Sequence, residues 1–166
     1  MIVSRTYAID FEPSLAGLKA NLRLAGSGFD ADLAVKLKAA IEAAELFIGT
    51  VIARSAFVES FPFCRKIQLR EPVLTISKVV VGETELTADQ YTITGGLLHV
   101  HDDVEEASPV VVTYNAGLPT VAMDITQAIY LHASALFVNP VDSVEALPKA
   151  SQNLLMSHRH WSLRHA

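Results

Sequence analysis

The residues best suited to chemistry lie together in the stretch HVHDD, residues 99 to 103. On a β-strand, His99 and His101 would point to one face, and Asp102 or Asp103 could complete a set of metal ligands. Such a site would make the chain a small metal-dependent hydrolase. The sequence has no HExxH-like helix or distant Cys/His pair to support that site. The pattern therefore favours surface strand and turn residues, and the metal site stays open as an alternative.

A second cluster, HRHWSLRH at residues 158 to 165, is the one stretch that is both basic and aromatic. Terminal tails are usually mobile and solvated, but this one could contact an anionic partner or, less readily, chelate a metal. The expected contact residues are Arg159, His160, Trp161 and Arg164. The N-terminal stretch MIVSRTYAIDF is a further candidate for partner contact. Both segments could order only on assembly.

Other candidates for chemistry have simpler interpretations. No nucleophile signature surrounds Cys64, which is expected to be a buried or half-buried small residue. The stretch AGSGFDAD places glycines before a helix, where a phosphate can bind, but it lacks a GK[ST] tail and a preceding strand. It is expected to be a turn between helices. No GxSxG motif is present, so neither catalytic nor cofactor-binding residues are assigned, and no cofactor is expected.

The bulk composition narrows the classes of function. A formal net charge of −5 disfavours a general nucleic-acid binder, which needs a cationic surface. One cysteine in 166 residues excludes an intrachain disulfide and suggests a reducing compartment. Neither a signal peptide nor a membrane span is expected, because the apolar stretches are too short or interrupted. The hydrophobic fraction of 51% indicates either a well-packed interior or apolar surface that meets other subunits.

Helical periodicity frames the chain at both ends. A short helix is expected after Ser14, its candidate cap, and a long helix runs from a cap at Asp30 to about residue 52. A third helix, capped by Asp124 or Thr120, ends at the Asn-Pro pair of residues 139–140. A last helix has Pro148 in its first turn.

Between the helices the apolar period changes to two. Residues 54 to 117 read as five or six short strands, with a Gly95-Gly96 hairpin turn between two of them. The predicted fold class is α+β: a bundle of about four helices with a mostly antiparallel β lobe inserted between the second and third. The chain is expected to be a single domain over residues 1–166. The bundle would span 14–53 and 118–158, the β lobe 54–117 and the C-terminal tail 159–166.

The order of these segments resembles the head–tail connector proteins of long-tailed phages, also called adaptor or head-completion proteins. The stretches LKANLRL and DADLAVKLKAAIEAAELF are similar to the first two helices of that family. The family's Phe-Pro, short strand, Pro and Val/Ile-rich strand correspond to residues 61 to 81. Tyr91 and the GGLLHV strand also fit, as does the closing LPKASQNLL.

The most telling part of the resemblance is the junction between the β lobe and the third helix. The family's V-x-Y-x-A-G strand end and D-I-x-Q-A-I helix are matched here by Val112, Tyr114, Ala116, Gly117, Asp124, Ile125, Gln127, Ala128 and Ile129.

The resemblance implies a non-enzymatic role in virion assembly and DNA packaging. It implies a homo-oligomeric ring, with the helical bundle packing against neighbouring subunits, that joins the portal protein to a tail-side connector protein. DNA would pass through without sequence-specific binding, and no membrane is involved. The chain would belong to the virion and be assembled in the host cytoplasm. Another tail-completion or binding module remains an alternative.

Overall fold

The computed structural model describes residues 2–8, 12–139 and 147–159. The chain divides into two compact units, each built from segments that are distant in the sequence. The first combines the N-terminal strand with Ala53–Pro119, and the second contains the helices that precede and follow this segment. Helices and antiparallel sheets are both present, so the predicted α+β class is confirmed. Over the residues described, no helix is both long and apolar enough to cross a membrane.

The first unit consists of strands that pair antiparallel throughout. In chain order, the strands described are β1 (Ile2–Tyr7), β2 (Ser55–Phe61), β3 (Lys66–Gln68), β4 (Val73–Val81), β5 (Thr84–Glu85), β6 (Tyr91–Thr94), β7 (Leu97–Val100) and β8 (Val110–Ala116). They form a five-stranded sheet in the order β1-β2-β8-β4-β5 and a three-stranded sheet in the order β3-β7-β6. The sequence predicts five or six strands after residue 54, whereas seven are found there. The shortest ones carry too few residues to show alternation.

The N-terminal stretch is an edge strand. β1 pairs with β2, with Tyr7 opposite Ser55, and so belongs to the larger sheet. The sequence predicts only a segment that orders on assembly. The sequence pattern did not show this strand, because its pairing partner lies about fifty residues away and no hairpin turn connects the two. Contact of this segment with a partner stays a prediction.

Side-chain alternation builds the interior of the first unit. Along β2, Phe57 and Glu59 point to the buried face, as the period of two predicts. Phe57 lies opposite Tyr114 of β8, and the two rings stack with centroids 5.5 Å apart. The smaller sheet has the predicted hairpin, in which Gly95 and Gly96 take φ values of 54° and 75°. Positive φ at both positions is what a type I′ turn requires.

The junction after β8 depends on a glycine. Gly117 has a φ of 137°, and a Cβ at this position would lie 2.7 Å from the Cα of Arg54. Its N–H donates to the carbonyl of Pro72 at 3.0 Å. The Arg54 guanidinium also binds the carbonyls of Leu118 and Pro119. The chain after β8 therefore passes so close to the backbone of Arg54 that only glycine fits at residue 117.

The second unit contains the helices α1 (Leu15–Leu22), α2 (Asp30–Ile48), α3 (Met123–Val138) and α4 (Lys149–Leu155), and α4 continues into a 3₁₀ turn, Met156–His158. α3 packs against the other three helices, and α2 packs against α1 and α4 as well. The buried residues of α2 recur at helical spacing on one face of the helix. They are Leu33, Leu37, Ala40, Ile41, Ala44 and Ile48.

Helix ends match the predictions only in part. Ser14 caps α1, because its hydroxyl accepts from the Gly17 N–H at 3.2 Å. The cap at Asp30 is wrong, since Asp30 is the first helical residue and Phe29 precedes it without a side-chain cap. The Asp30 carboxylate instead pairs with the Nζ of Lys19 at 2.6 Å.

Three further helix ends need correction. Neither Asp124 nor Thr120 caps α3, whose N-cap is Ala122, and Pro148 is the N-cap of α4 rather than part of its first turn. α2 stops at Gly49, whose φ of 78° gives a left-handed C-cap, so Ile52 lies beyond the helix. At 1.5 Å per residue, the 19 residues of α2 span about 28 Å.

Candidate interaction surfaces

The histidine and aspartate cluster lies at the end of β7 and in the following turn. The His99 and His101 rings are 6.0 Å apart and tilted, but only His99 lies in β7, and His101 directly follows the strand. Asp102 is almost fully exposed, and its carboxylate lies 3.6 Å from Nε of Arg65. Nowhere in residues 2–8, 12–139 and 147–159 do three His, Cys, Asp or Glu side chains form a group that could hold a metal ion.

Arg65 holds this turn in place. Its Nη1 donates to the carbonyls of His101 at 2.5 Å and Val104 at 3.1 Å. Its Nη2 lies 3.4 Å from the Glu106 carboxylate. The Arg65 guanidinium thus satisfies two backbone carbonyls of this surface turn.

Cys64 is exposed, so its predicted burial is wrong. It lies between β2 and β3, where alternate side chains point to solvent, among them those of Pro62 and Lys66. The glycine-containing stretch before α2 is the turn between α1 and α2, as predicted. Lys19 closes that turn by donating to the Gly26 carbonyl at 2.5 Å.

A buried carboxylate in the first unit is a polar cluster that the sequence pattern did not reveal. Glu59 accepts a hydrogen bond from the Tyr114 hydroxyl at 2.5 Å and one from Nε of Arg70 at 3.0 Å. Burial, reinforced by the hydrogen bond to Glu59, raises the pKa of Tyr114. The three side chains satisfy one another, which is what a structural tie requires. The sequence did contain one signal for this cluster: Glu59 lies two residues after Phe57 and so falls on the same apolar face of β2.

The C-terminal candidates start at the 3₁₀ turn. His158 Nε2 lies 2.7 Å from Oδ2 of Asp124, and this hydrogen bond lowers the pKa of Asp124. The guanidinium of Arg159 lies over the Phe47 ring, 5.2 Å from its centroid. The other predicted contact residues, His160, Trp161 and Arg164, lie outside the described residues.

Among the described residues, the four most exposed large apolar side chains lie on helices. Leu46 and Met123 are each 86% exposed, Val138 is 69% and Val35 is 68% exposed. Leu and Met side chains of this exposure are the kind that association buries. Val35 and Leu46 lie outside the buried face of α2. Two apolar residues at such positions are the signal in the sequence that could have identified this exposed surface.

A shallow apolar groove lies within the first unit. Its volume is about 310 Å³, and the start of β4 and the β6–β7 hairpin form its walls. Leu74 and Ile93 line it and are both partly exposed.

The fold is similar over its whole length to chains in solved structures of gene transfer agent particles. One comes from the neck of an empty particle computed with C6 symmetry: the TM-score is 0.73 at 19% identity, with 99% of each chain covered. Another comes from the neck of a native particle computed with C12 symmetry: the TM-score is 0.73 at 19% identity, covering 100% of this chain and 98% of that one.

A third comes from the virion of a native particle, with a TM-score of 0.74 at 18% identity and 99% of each chain covered. No protein-family model and no curated protein matches the sequence. At these identities the likeness shows a common fold. Both units of the chain are included in it.

Proposed function

We propose that this chain is a non-enzymatic structural subunit of the neck of a phage or prophage-derived particle. Copies of it would form a ring that joins the portal protein to the tail-side connector. The observation that carries the proposal is the whole-length similarity to a chain from the neck of a gene transfer agent particle. Full coverage of both chains matters, because a shared sub-fold would leave one unit unmatched.

The sequence supports the same function independently. The junction motif at residues 112 to 129 resembles the head–tail connectors, and that resemblance rests on side chains rather than on the backbone. Exposed Leu46 and Met123 are a second support. A subunit that is surrounded by neighbours in an assembly would bury such residues.

The charge of the chain agrees with a channel through which DNA passes. A formal net charge of −5 leaves few cations to hold phosphates, so DNA would move through the ring without sequence-specific binding. The proposed location is the virion, after assembly in the host cytoplasm. No cofactor or catalytic residue enters this function.

Deletion of the gene in a particle-producing host tests the function. We expect filled heads and separate tails, because a head without its neck subunit cannot be joined to the tail. Expression of the wild-type chain from a plasmid should restore joined particles, and the empty plasmid should not. Normal numbers of joined, infectious particles after deletion would contradict the proposal.

The C-terminal contact with the portal protein needs its own test. Arg159→Glu combined with Arg164→Glu should weaken capture of purified portal protein by at least tenfold. Lys66→Glu combined with Lys149→Glu is the matched control, because both lysines are exposed and the change in charge is the same. Equal portal capture by both variants would show that the tail does not make this contact.

A further inference from the structure

α3 carries almost no formal charge. Its 16 residues, MDITQAIYLHASALFV, contain one formally charged side chain, Asp124. A helix this poor in charge normally leaves little of its surface exposed. The residues that the chain buries are Ile125, Ala128, Ile129, Tyr130, His132 and Ala133, whereas Met123 and Gln127 on the other side stay exposed.

The opposite face of α3 carries a row of residues at helical spacing. We call it the α3 stripe: Met123, Gln127, Leu131, Ser134 and Val138. These positions fall within about 80° of arc at 3.6 residues per turn. None of them carries a formal charge. Met123 and Val138, at the two ends of the helix, are exposed, as is Gln127, whereas Leu131 and Ser134 are half-buried.

α2 has a matching outward face. We call it the α2 stripe: Ala31, Val35, Ala39 and Leu46, with Glu42 in the same arc. All four apolar members are exposed. Ala31 leaves a shallow position before Val35 and Ala39 leaves one between Val35 and Leu46, and side chains of another helix could fill them.

Each stripe faces away from the buried side of its own helix. α2 and α3 pack directly against each other, and each stripe lies about 180° around its helix from most of the residues that the chain buries. A chain with two different apolar faces can repeat one contact from copy to copy. A contact of this heterologous kind closes into a ring when the rotation permits.

We infer that the α3 stripe of one copy packs on the α2 stripe of the next. This inference rests on the proposed neck function and specifies how neighbouring subunits meet. The partner is a second copy of this chain, because the stripes are uncharged or nearly so, similar in length, and placed for head-to-tail repetition.

The size of the stripes adds an argument. A helix face about 28 Å long and about 10 Å wide offers on the order of 300 Å². A stable pair of proteins buries about 800 Å² per partner. One such contact is therefore too small to hold a dimer. A closed ring gives every copy two contacts, so assembly should pass from monomer to ring without a stable dimer.

Two charge variants test the pairing. The first, Val35→Glu with Leu46→Glu, changes only the α2 stripe, and the second, Met123→Lys with Val138→Lys, changes only the α3 stripe. In an equimolar mixture, each glutamate face can meet a lysine face, and each native face can meet a native face. An alternating ring can then close with six or twelve subunits, the symmetries of the neck reconstructions, because both numbers are even.

Light scattering after size exclusion gives the readout, and circular dichroism shows that each variant is folded. We expect the wild-type ring, loss of the ring in each variant alone, and its return in the mixture. Asn21→Glu with Asn153→Glu is the control: two exposed helical positions outside the stripes, with the same charge as the first variant, where the ring should persist.

Three results would overturn the inference: a ring formed by either variant alone, a mixture of folded variants that stays monomeric, or a wild-type chain that is monomeric at every concentration. None of these results would remove the neck proposal, which fails separately if deletion of the gene leaves joined particles. Recovery of the ring in the mixture would identify α2 and α3 as opposite sides of one contact.

Discussion

Tyr114 donates a hydrogen bond to Oε2 of Glu59 at 2.5 Å, between residues that are diagonal neighbours on β8 and β2. The other carboxylate oxygen accepts from Nε of Arg70, which follows β3, and the Arg70 N–H donates to the Tyr114 hydroxyl at 3.2 Å. Glu59 and Tyr114 belong to the larger sheet, whereas Arg70 follows a strand of the smaller one. The buried glutamate thus ties the two sheets of the first unit together.

Tyr114→Phe should destabilise the first unit. The change leaves a buried carboxylate with one donor fewer and the Arg70 N–H without its acceptor, which costs about 1–3 kcal/mol. Urea unfolding followed by circular dichroism measures it. Tyr91→Phe is the matched control, because Tyr91 is half-exposed, and its effect should stay within about 0.5 kcal/mol. Equal unfolding midpoints for the two variants would contradict the structural role of this cluster.

Gly17→Ala should destabilise the second unit. A Cβ at residue 17 would lie 2.1 Å from the Tyr130 hydroxyl oxygen, so α1 or the Tyr130 ring must move, at a cost of about 1–3 kcal/mol. Gly28→Ala is the control, since no atom lies within 4 Å of a Cβ there. The thermal midpoint of the Gly17 variant should fall while that of the Gly28 variant does not. A Gly17 variant as stable as wild type would show that α1 does not pack closely on α3.

His132→Leu should flatten the loss of stability in mild acid. Burial lowers the pKa of His132, and its Nδ1 has no hydrogen-bond partner among the described residues. The unfolded chain therefore takes up a proton near pH 6.5, before the folded chain does, and stability falls as the pH drops below that value. The slope from this one group is at most about 1.4 kcal/mol per pH unit.

Unfolding free energies at pH 7, 6 and 5 check this prediction. Asp124 does not interfere, because its pKa is lowered in the folded state and its contribution is lost only below the unfolded value of 3.8. The other histidines are common to both proteins. If wild type and the variant lose stability in parallel between pH 7 and 5, His132 is not the acid-sensitive group.

Asp124→Asn should release the 3₁₀ turn at residues 156 to 158 without a large change in global stability. The Asp124–His158 pair is partly exposed, and pairs of this kind contribute about 0–1 kcal/mol. Hydrogen exchange should become faster at the backbone amides of this turn. Asp32→Asn, in the first turn of α2, removes a comparable exposed pair with Lys36 and should leave those amides unchanged. Unchanged exchange in the Asp124 variant would mean that the turn is held by other contacts.

Periodicity predicted most of the fold, because each element has to present one apolar face. The buried face of α2, the alternation of side chains along β2 and the Gly95-Gly96 turn all depend on residues that are close in the sequence. The pairing of β1 with β2 and the bonding of Glu59 by Tyr114 and Arg70 join residues that are far apart in the chain. Local patterns carry no information about which distant segment will be adjacent.

The candidate sites also combine features that neighbouring residues predict with features that depend on distant residues. The spacing of His99 and His101 placed both in a strand, but β7 ends at Val100, and the spacing could not show that Arg65 holds the following turn. Exposure of Cys64 and Leu46 also depends on which neighbours cover them. The predicted cap at Asp30 failed for a related reason, because its carboxylate pairs with Lys19, which lies on another helix.

The copy number of this chain in purified particles decides whether it is a neck subunit, and quantitative mass spectrometry against a labelled standard measures it. The neck proposal predicts six or twelve copies per particle, the symmetries in which the similar neck chains were computed. The copies should remain with the joined particle after non-incorporated protein has been washed away. Absence of the chain from particles, or hundreds of copies per particle as in a shell or a tail tube, would contradict the account.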